Sequence, residues 1–108
     1  MKNPMHPGEF ILWAYMEPLN IQAVDLADRL DISPSTLSRI INGKMDLSYE
    51  MAVRLSNVLG RTPESWVNLQ TAYSLELAKM KVNYSKLKPY TDLTKKHSYM
   101  DVDAEVTA

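Results

Sequence analysis

Two short amphipathic segments meet near the middle of this chain with almost nothing between them, and that junction restricts the fold more than any other feature. The first starts near Gln22, where Ile21 and Leu26 have the separation of a hydrophobic staple; Ala23, Leu26, Ala27 and Leu30 then fall at spacings of three and four, on one face of a helix. Directly after Ile32, Ser33-Pro34 announces a new helix. The serine hydroxyl can accept from backbone N–H groups left unpaired in the first turn, and proline suits the first helical position because its missing N–H has no partner there anyway. This second segment carries Leu37, Ile40 and Ile41 on its apolar side and stops at Asn42-Gly43. So short a connection forces the helices to cross steeply, and a small side chain is needed where their backbones approach; Ala27 meets that need. Leu26, Leu30, Ile32, Leu37 and Ile40 supply the apolar wedge between this pair and the remaining core.

The rest of the chain is punctuated in the same way. Pro7 opens a helix expected to run through Met16 and stop before Pro18, with Leu12, Met16 and Leu19 as its inward stripe. Ser48 can cap a fourth helix, with Glu50 near the positive end of its dipole, Ala52, Leu55 and Leu59 on its apolar face, and Gly60 as its stop. Thr62-Pro63 opens a fifth, in which Trp66, Leu69, Tyr73, Leu77 and Met80 sustain a helical stripe to about Lys81. Beyond Val82 the pattern fades. The reading is all-α: five helices within residues 1–81, followed by a tail, residues 82–108, expected to be partly extended or mobile.

Several function classes are disfavoured. With no cysteine there is no disulfide framework, no thiolate nucleophile and no cysteine metal cluster. His6 and His97 lie far apart in the chain with no carboxylates at ligand spacing, so neither a metal nor another cofactor is expected, and His6 is read as fixing the start of the first helix. Three isolated glycines make no phosphate loop, and no converging titratable groups suggest an enzyme. No apolar run approaches the roughly 18 residues of a membrane span, and the amino terminus lacks the order of a signal peptide; a cytoplasmic protein is expected. The formal net charge of −1 is not the basic excess usual for a nucleic-acid binder. The charges are unevenly spread: lysines 79, 81, 86, 88, 95 and 96 face only Glu76 and Asp92, whereas Asp101, Asp103 and Glu105 make the end acidic. The basic stretch can meet phosphate or an acidic partner, against the simpler reading of a solvated charged surface.

What the helix after Ser33 leaves outside is more telling. With Leu37, Ile40 and Ile41 turned inward, its outer set is Ser35, Thr36, Ser38, Arg39 and Asn42, short and polar apart from one arginine. Such a surface can approach another body closely. In a DNA major groove an arginine can bond a guanine in bidentate fashion, and small hydroxyl residues reach base edges or phosphates without clashing. Arg39 is the candidate base reader, while Ser33, Asn42, Lys44 and Gln22 are candidates for phosphate contacts that fix register. One short reading helix covers few base pairs, so two copies related by a two-fold axis are expected to share a site. Trp66 and Tyr73 are candidates for the dimer contact, with core filling as the alternative role for both rings.

Residues 22–44 resemble the Cro and lambda-repressor-like (XRE) helix-turn-helix. The flanks, His6-Pro7-Gly8-Glu9, Glu17-Pro18-Leu19 and Leu59-Gly60-Arg61-Thr62-Pro63-Glu64-Ser65-Trp66, are similar to the HigA antitoxin family, also called VapI-type, and the resemblance covers about Met5 to Lys81. It implies a five-helix lambda-repressor-like domain that acts as a homodimer and recognises a palindrome of operator DNA in its own promoter. It also implies neutralisation of a RelE-like mRNA interferase, a HigB-like toxin. The basic tail and the outer face of the first helix, with Phe10, Trp13 and Tyr15, are surfaces available to such a toxin. Two residues depart from the pattern: Asp31 stands where the family usually has glycine, and Gln22 where serine or threonine commonly caps the helix. Two other readings stay open, a free-standing XRE-type repressor without a toxin and a protein-interaction adaptor that has lost DNA binding.

Overall fold

Helices start in this chain where a side chain takes over a backbone N–H that the helix cannot pair. In the computed structural model, which describes residues 4–90, His6 Nδ1 accepts from Gly8 N at 2.9 Å and opens α1, Pro7–Ile11. Ser33 accepts from Thr36 N at 3.1 Å at the start of α3, Pro34–Ile41. Ser48 does the same for Met51 N at 3.0 Å ahead of α4, Tyr49–Leu59, and Thr62 for Ser65 N at 3.0 Å ahead of α5, Pro63–Lys81. Each such cap is worth about 1 kcal/mol. Helix α2, Ala23–Leu30, begins without one: Gln22 occupies the cap position with no side-chain bond. The architecture is five helices, as the sequence predicts, and the described residues hold no strand. No helix among them is long and apolar enough to cross a membrane. Beyond α5, residues 82–90 carry one short 3-10 turn, Tyr84–Lys86; the rest of the predicted tail, including Lys95, Lys96 and His97, lies outside the described residues.

The first helix departs from expectation in its second half. It continues past Ile11 as a π-helical turn, Leu12–Met16, with Glu17 N bonded to Leu12 O and Ile21 N to Met16 O, each at 2.8 Å. Closing on the fifth residue shifts the inward face, so residues five apart line up where an α-helix would align those three or four apart. Ile11 and Met16 are therefore the buried pair, Leu12 is half-buried, and Leu19 is exposed. Two further stripe positions, Ala23 and Met80, are also exposed, one in the first turn of α2 and the other near the end of α5.

Among the described residues twelve apolar side chains form the core, joining Ile11 and Met16 to Leu26, Ala27 and Leu30 of α2, Leu37 and Ile40 of α3, Leu47, Met51, Ala52, Leu55 and Trp66. Helix α4 packs on α2 and α5, and α1 packs on α3 and α5. Helices α1 and α3 meet backbone to backbone: a Cβ placed on Gly8 would stand 1.7 Å from the carbonyl oxygen of Ile40. Only glycine lets α1 seat on α3 at that distance. Gln70 is buried within the expected apolar stripe of α5, where its Oε1 accepts from Leu47 N at 2.8 Å and its Nε2 donates to Ser74 Oγ at 2.9 Å. It anchors the start of α4 to α5 without leaving a buried polar atom unpaired.

Trp66 requires a correction. Its side chain is 0 % exposed, its Nε1 donates to Gly60 O at 2.8 Å, and its ring lies 5.9 Å from both Phe10 and Tyr15. It fills the core of a single chain and has no surface left to offer a second copy. Tyr73 is half-buried, its ring edge-on to His6 at 4.8 Å.

Candidate nucleic-acid interface

The corner between α2 and α3 rests on a residue in a left-handed conformation. Asp31 has φ 57° and ψ 47°, and around it Ile32 N bonds to Ala27 O at 3.0 Å and Asp31 N to Asp28 O at 3.1 Å. These two bonds satisfy carbonyls that the last turn of α2 would otherwise leave open. Aspartate tolerates this backbone better than most residues, which is how the corner survives without glycine. A second group holds it: Arg54 of α4 donates to Leu30 O at 2.8 Å and Asp31 O at 3.2 Å while pairing with Glu50 at 3.0 Å. A guanidinium against the negative end of α2 is favourable on both hydrogen-bonding and dipole grounds. Sequence reasoning missed Arg54 because its partners are backbone carbonyls far earlier in the chain.

Helix α3 ends by similar chemistry. Gly43 has φ 74°, its N–H bonds to Ile40 O at 3.0 Å, and Lys44 N bonds to Arg39 O at 2.8 Å. The position of a Cβ on Gly43 would lie 3.8 Å from the His6 ring, so the residue that caps α1 also buttresses the end of α3. His6 itself is buried, with Nε2 facing Asp46 Oδ1 at 3.6 Å. Gly8 and His6 are thus support residues for α3. The signal that could have found them is a glycine in the first turn of a helix, a position costly enough to need a reason.

On this scaffold Leu37 and Ile40 point inward, and Ser33, Ser35, Ser38, Arg39, Asn42 and Lys44 are all exposed. Thr36 is half-buried: its hydroxyl accepts from Ser33 Oγ at 2.9 Å and has Arg39 Nη2 at 3.5 Å, a long contact beside the exposed arginine. Asn42 turns its amide back on its own helix, donating to Ser38 O at 2.9 Å, which ties up the donor expected to reach outward. Gln22 is exposed, its amide making no capping bond at the start of α2. Apart from Thr36, every residue predicted for the interface is exposed, although the Ser33 hydroxyl is engaged within the first turn by Thr36 and Ser35 and the Ser38 hydroxyl lies 3.3 Å from Asn42 Nδ2.

With eight residues, α3 is about 12 Å long, close to the width of a DNA major groove. A rod of that length, smooth except for one arginine, can enter the groove and bring its two ends to the phosphate strands on either side.

Known proteins share this arrangement. The helix-turn-helix family pattern matches residues 14–67. An uncharacterized HTH-type transcriptional regulator of Escherichia coli strain K12, YddM, is 41% identical over 88 residues, covering 82% of this chain and 93% of its own length. Antitoxin HigA-1 of Vibrio cholerae is 35% identical over 74 residues, covering 68% of this chain and 70% of its own. Among solved structures, the antitoxin GraA superposes with a TM-score of 0.77 at 32% identity, covering 82% of this chain and 99% of its own. The Pseudomonas aeruginosa antitoxin HigA, solved with the higBA promoter, superposes with a TM-score of 0.71 at 28% identity, covering 81% and 98%. With the corner at Asp31, the outward face of α3 and these relatives in agreement, the chain belongs to the XRE-type helix-turn-helix family of DNA-binding regulators that includes the HigA antitoxins.

Proposed function

We propose that this chain is the antitoxin of a type II toxin-antitoxin module, a homodimer that represses its own operon and neutralises a RelE-like mRNA interferase of the HigB kind. The observation that carries the DNA half of this reading is the solvent-facing surface of α3, with Arg39 exposed on it. In the repressed state two copies of α3 enter successive major grooves about 34 Å apart. Arg39 reads a guanine, and the capped start of α3 meets phosphate through Ser33, Ser35 and the free N–H groups of the first turn. Gln22 and Lys44 contact the backbone on either side, and Ser38 lies against base edges. The fold shared with a promoter-bound HigA supports the same placement.

Binding of the purified chain to the DNA upstream of its own coding region, against random duplex of equal length, tests the first half. Preference for the upstream DNA that weakens steeply with salt supports it, because neutralised phosphates release counterions. Equal affinity for both duplexes counts against it. The second half is tested by co-expressing the chain with the small open reading frame beside it: growth arrest by that product, relieved by this chain, is the expected result. Some relatives are named only as transcriptional regulators, which favours one rival, a free-standing repressor. Operator binding with no toxic neighbour would establish that rival.

A further inference from the structure

The helix-turn-helix of this chain has no surplus of positive charge of its own. Within residues 22–44, Asp25, Asp28 and Asp31 balance Arg29, Arg39 and Lys44, and Arg29 is paired with Asp25 at 3.1 Å. The arginines of the next two helical regions are also engaged, Arg54 with the end of α2 and Arg61 above the Phe10 and Trp66 rings at 5.1 and 5.6 Å. A DNA-binding surface draws much of its affinity from cations placed against phosphate. Among the described residues one group remains that can supply them: Lys79, Lys81, Lys86 and Lys88, all exposed at the end of α5 and just beyond it. Lys79 is within 3.5 Å of Glu76; no carboxylate among the described residues pairs with the other three.

Position brings the part of α5 that carries these lysines near the end of α3. Asn42 and Gly43, at the end of α3, line the same cavity of about 700 Å³ as Leu77 and Met80 of α5. The His6 ring spans this gap, close to Gly43 on one side and to Tyr73 on the other. Lys79 and Lys81 flank Met80 in the last turns of α5, the part of that helix that shares this cavity with the end of α3. That end of α3 approaches a phosphate strand when the helix lies across a groove as wide as the helix is long. Tyr84 keeps the following residues close, since its hydroxyl donates to Lys79 O at 2.9 Å and folds the 3-10 turn back on the last turn of α5.

We infer that the segment Lys79–Lys88 is a second DNA contact, an arm that meets the phosphate backbone flanking each half-site through Lys81, Lys86 and Lys88. It reads no sequence; it supplies the charge that the helix-turn-helix lacks. The inference rests on the DNA-binding reading above and adds to it a surface outside the helix-turn-helix.

The test uses the full chain and its upstream DNA, with affinity measured from 50 to 200 mM salt, for the parent, for K81Q/K86Q/K88Q and for K81R/K86R/K88R. For the glutamine variant the slope of log affinity against log salt is expected to flatten by about 0.9 for each phosphate that is no longer neutralised. Its preference for operator over random DNA is expected to stay within about twofold of the parent, and the arginine variant is expected to keep the parental slope. An unchanged slope in the glutamine variant, with Lys44→Gln flattening it as a positive control, overturns the inference while leaving the DNA-binding reading intact. An unchanged slope accompanied by lost toxin rescue also overturns it and makes the arm a protein-binding surface. If the parent shows no salt-sensitive operator binding, both readings fall together. All three lysines are exposed, and an unchanged melting temperature confirms that each variant is folded.

Discussion

Arg39 is the side chain proposed above to read a base, and it stands exposed on the outer face of α3. Ser33 bonds Thr36 at 2.9 Å, and the Thr36 hydroxyl lies 3.5 Å from Arg39 Nη2. Replacing Arg39 with alanine is expected to cost about 1–3 kcal/mol in operator binding and to relax preference at one base pair, whereas Lys44→Gln weakens operator and random DNA alike. Parallel titrations of the two duplexes separate these effects. Asp31 is a different kind of residue-level problem. An ordinary side chain in the left-handed region costs about 1–2 kcal/mol, and glycine forfeits about 0.4–1 kcal/mol of that advantage through its freer unfolded chain. Because the Asp31 carboxylate is almost fully exposed, its 3.7 Å approach to Arg54 adds little. Asp31→Gly is therefore expected to raise stability slightly, by less than about 1 kcal/mol. A fall in melting temperature would show that the ion pair outweighs backbone strain.

Between elements, two contacts set where α3 points. At Gly8 the obstacle to any larger residue is the Ile40 backbone carbonyl, which cannot swing aside as a side chain can. Gly8→Ala is expected to cost about 3 kcal/mol or more, the upper end for overpacking, and thermal melting at equal concentration reads it directly. Arg54→Ala removes the guanidinium from the end of α2 and opens its last carbonyls; with the side chain about a third exposed, the expected loss is about 1–2 kcal/mol. At this scale the sequence was legible wherever the determinant is local. The four proline- or serine-marked starts and the glycine stops lie within a few residues of what they control, and the corner at Asp31 could be placed from its flanks. The π-turn, the buried Gln70, the Gly8 crossing and the Arg54 brace depend on groups distant in sequence or on a change of helical period. Alternation of apolar and polar residues does not encode these. The exposed face of α3 was legible because it is what remains once the apolar face of one short helix is assigned; the turned-in amide of Asn42 was not, since its partner is a backbone carbonyl one turn away.

For the molecule as a whole, the distribution of charge matters more than its sum of −1. With charge balanced across the helix-turn-helix, the lysines at the end of α5 are expected to supply part of the affinity for duplex DNA, and salt is the variable that reads their share. Two-fold assembly is expected to appear as a melting temperature that rises with protein concentration, because folding and association are then linked. A midpoint unchanged over a hundredfold range of concentration would indicate a chain that stands alone.

The placement of its two indoles gives this chain separate optical reporters. Trp66 is sealed among aromatic rings and hydrogen-bonded to a backbone carbonyl, whereas Trp13 is half in solvent on the first helix. Emission from the first reports whether the interior is intact, and its quenching by iodide stays low until the chain unfolds. Emission from the second is quenched from the outset, and shielding of it marks a body docking on that flank. A single fluorescence titration can thus tell a ligand that covers the molecule from one that undoes it.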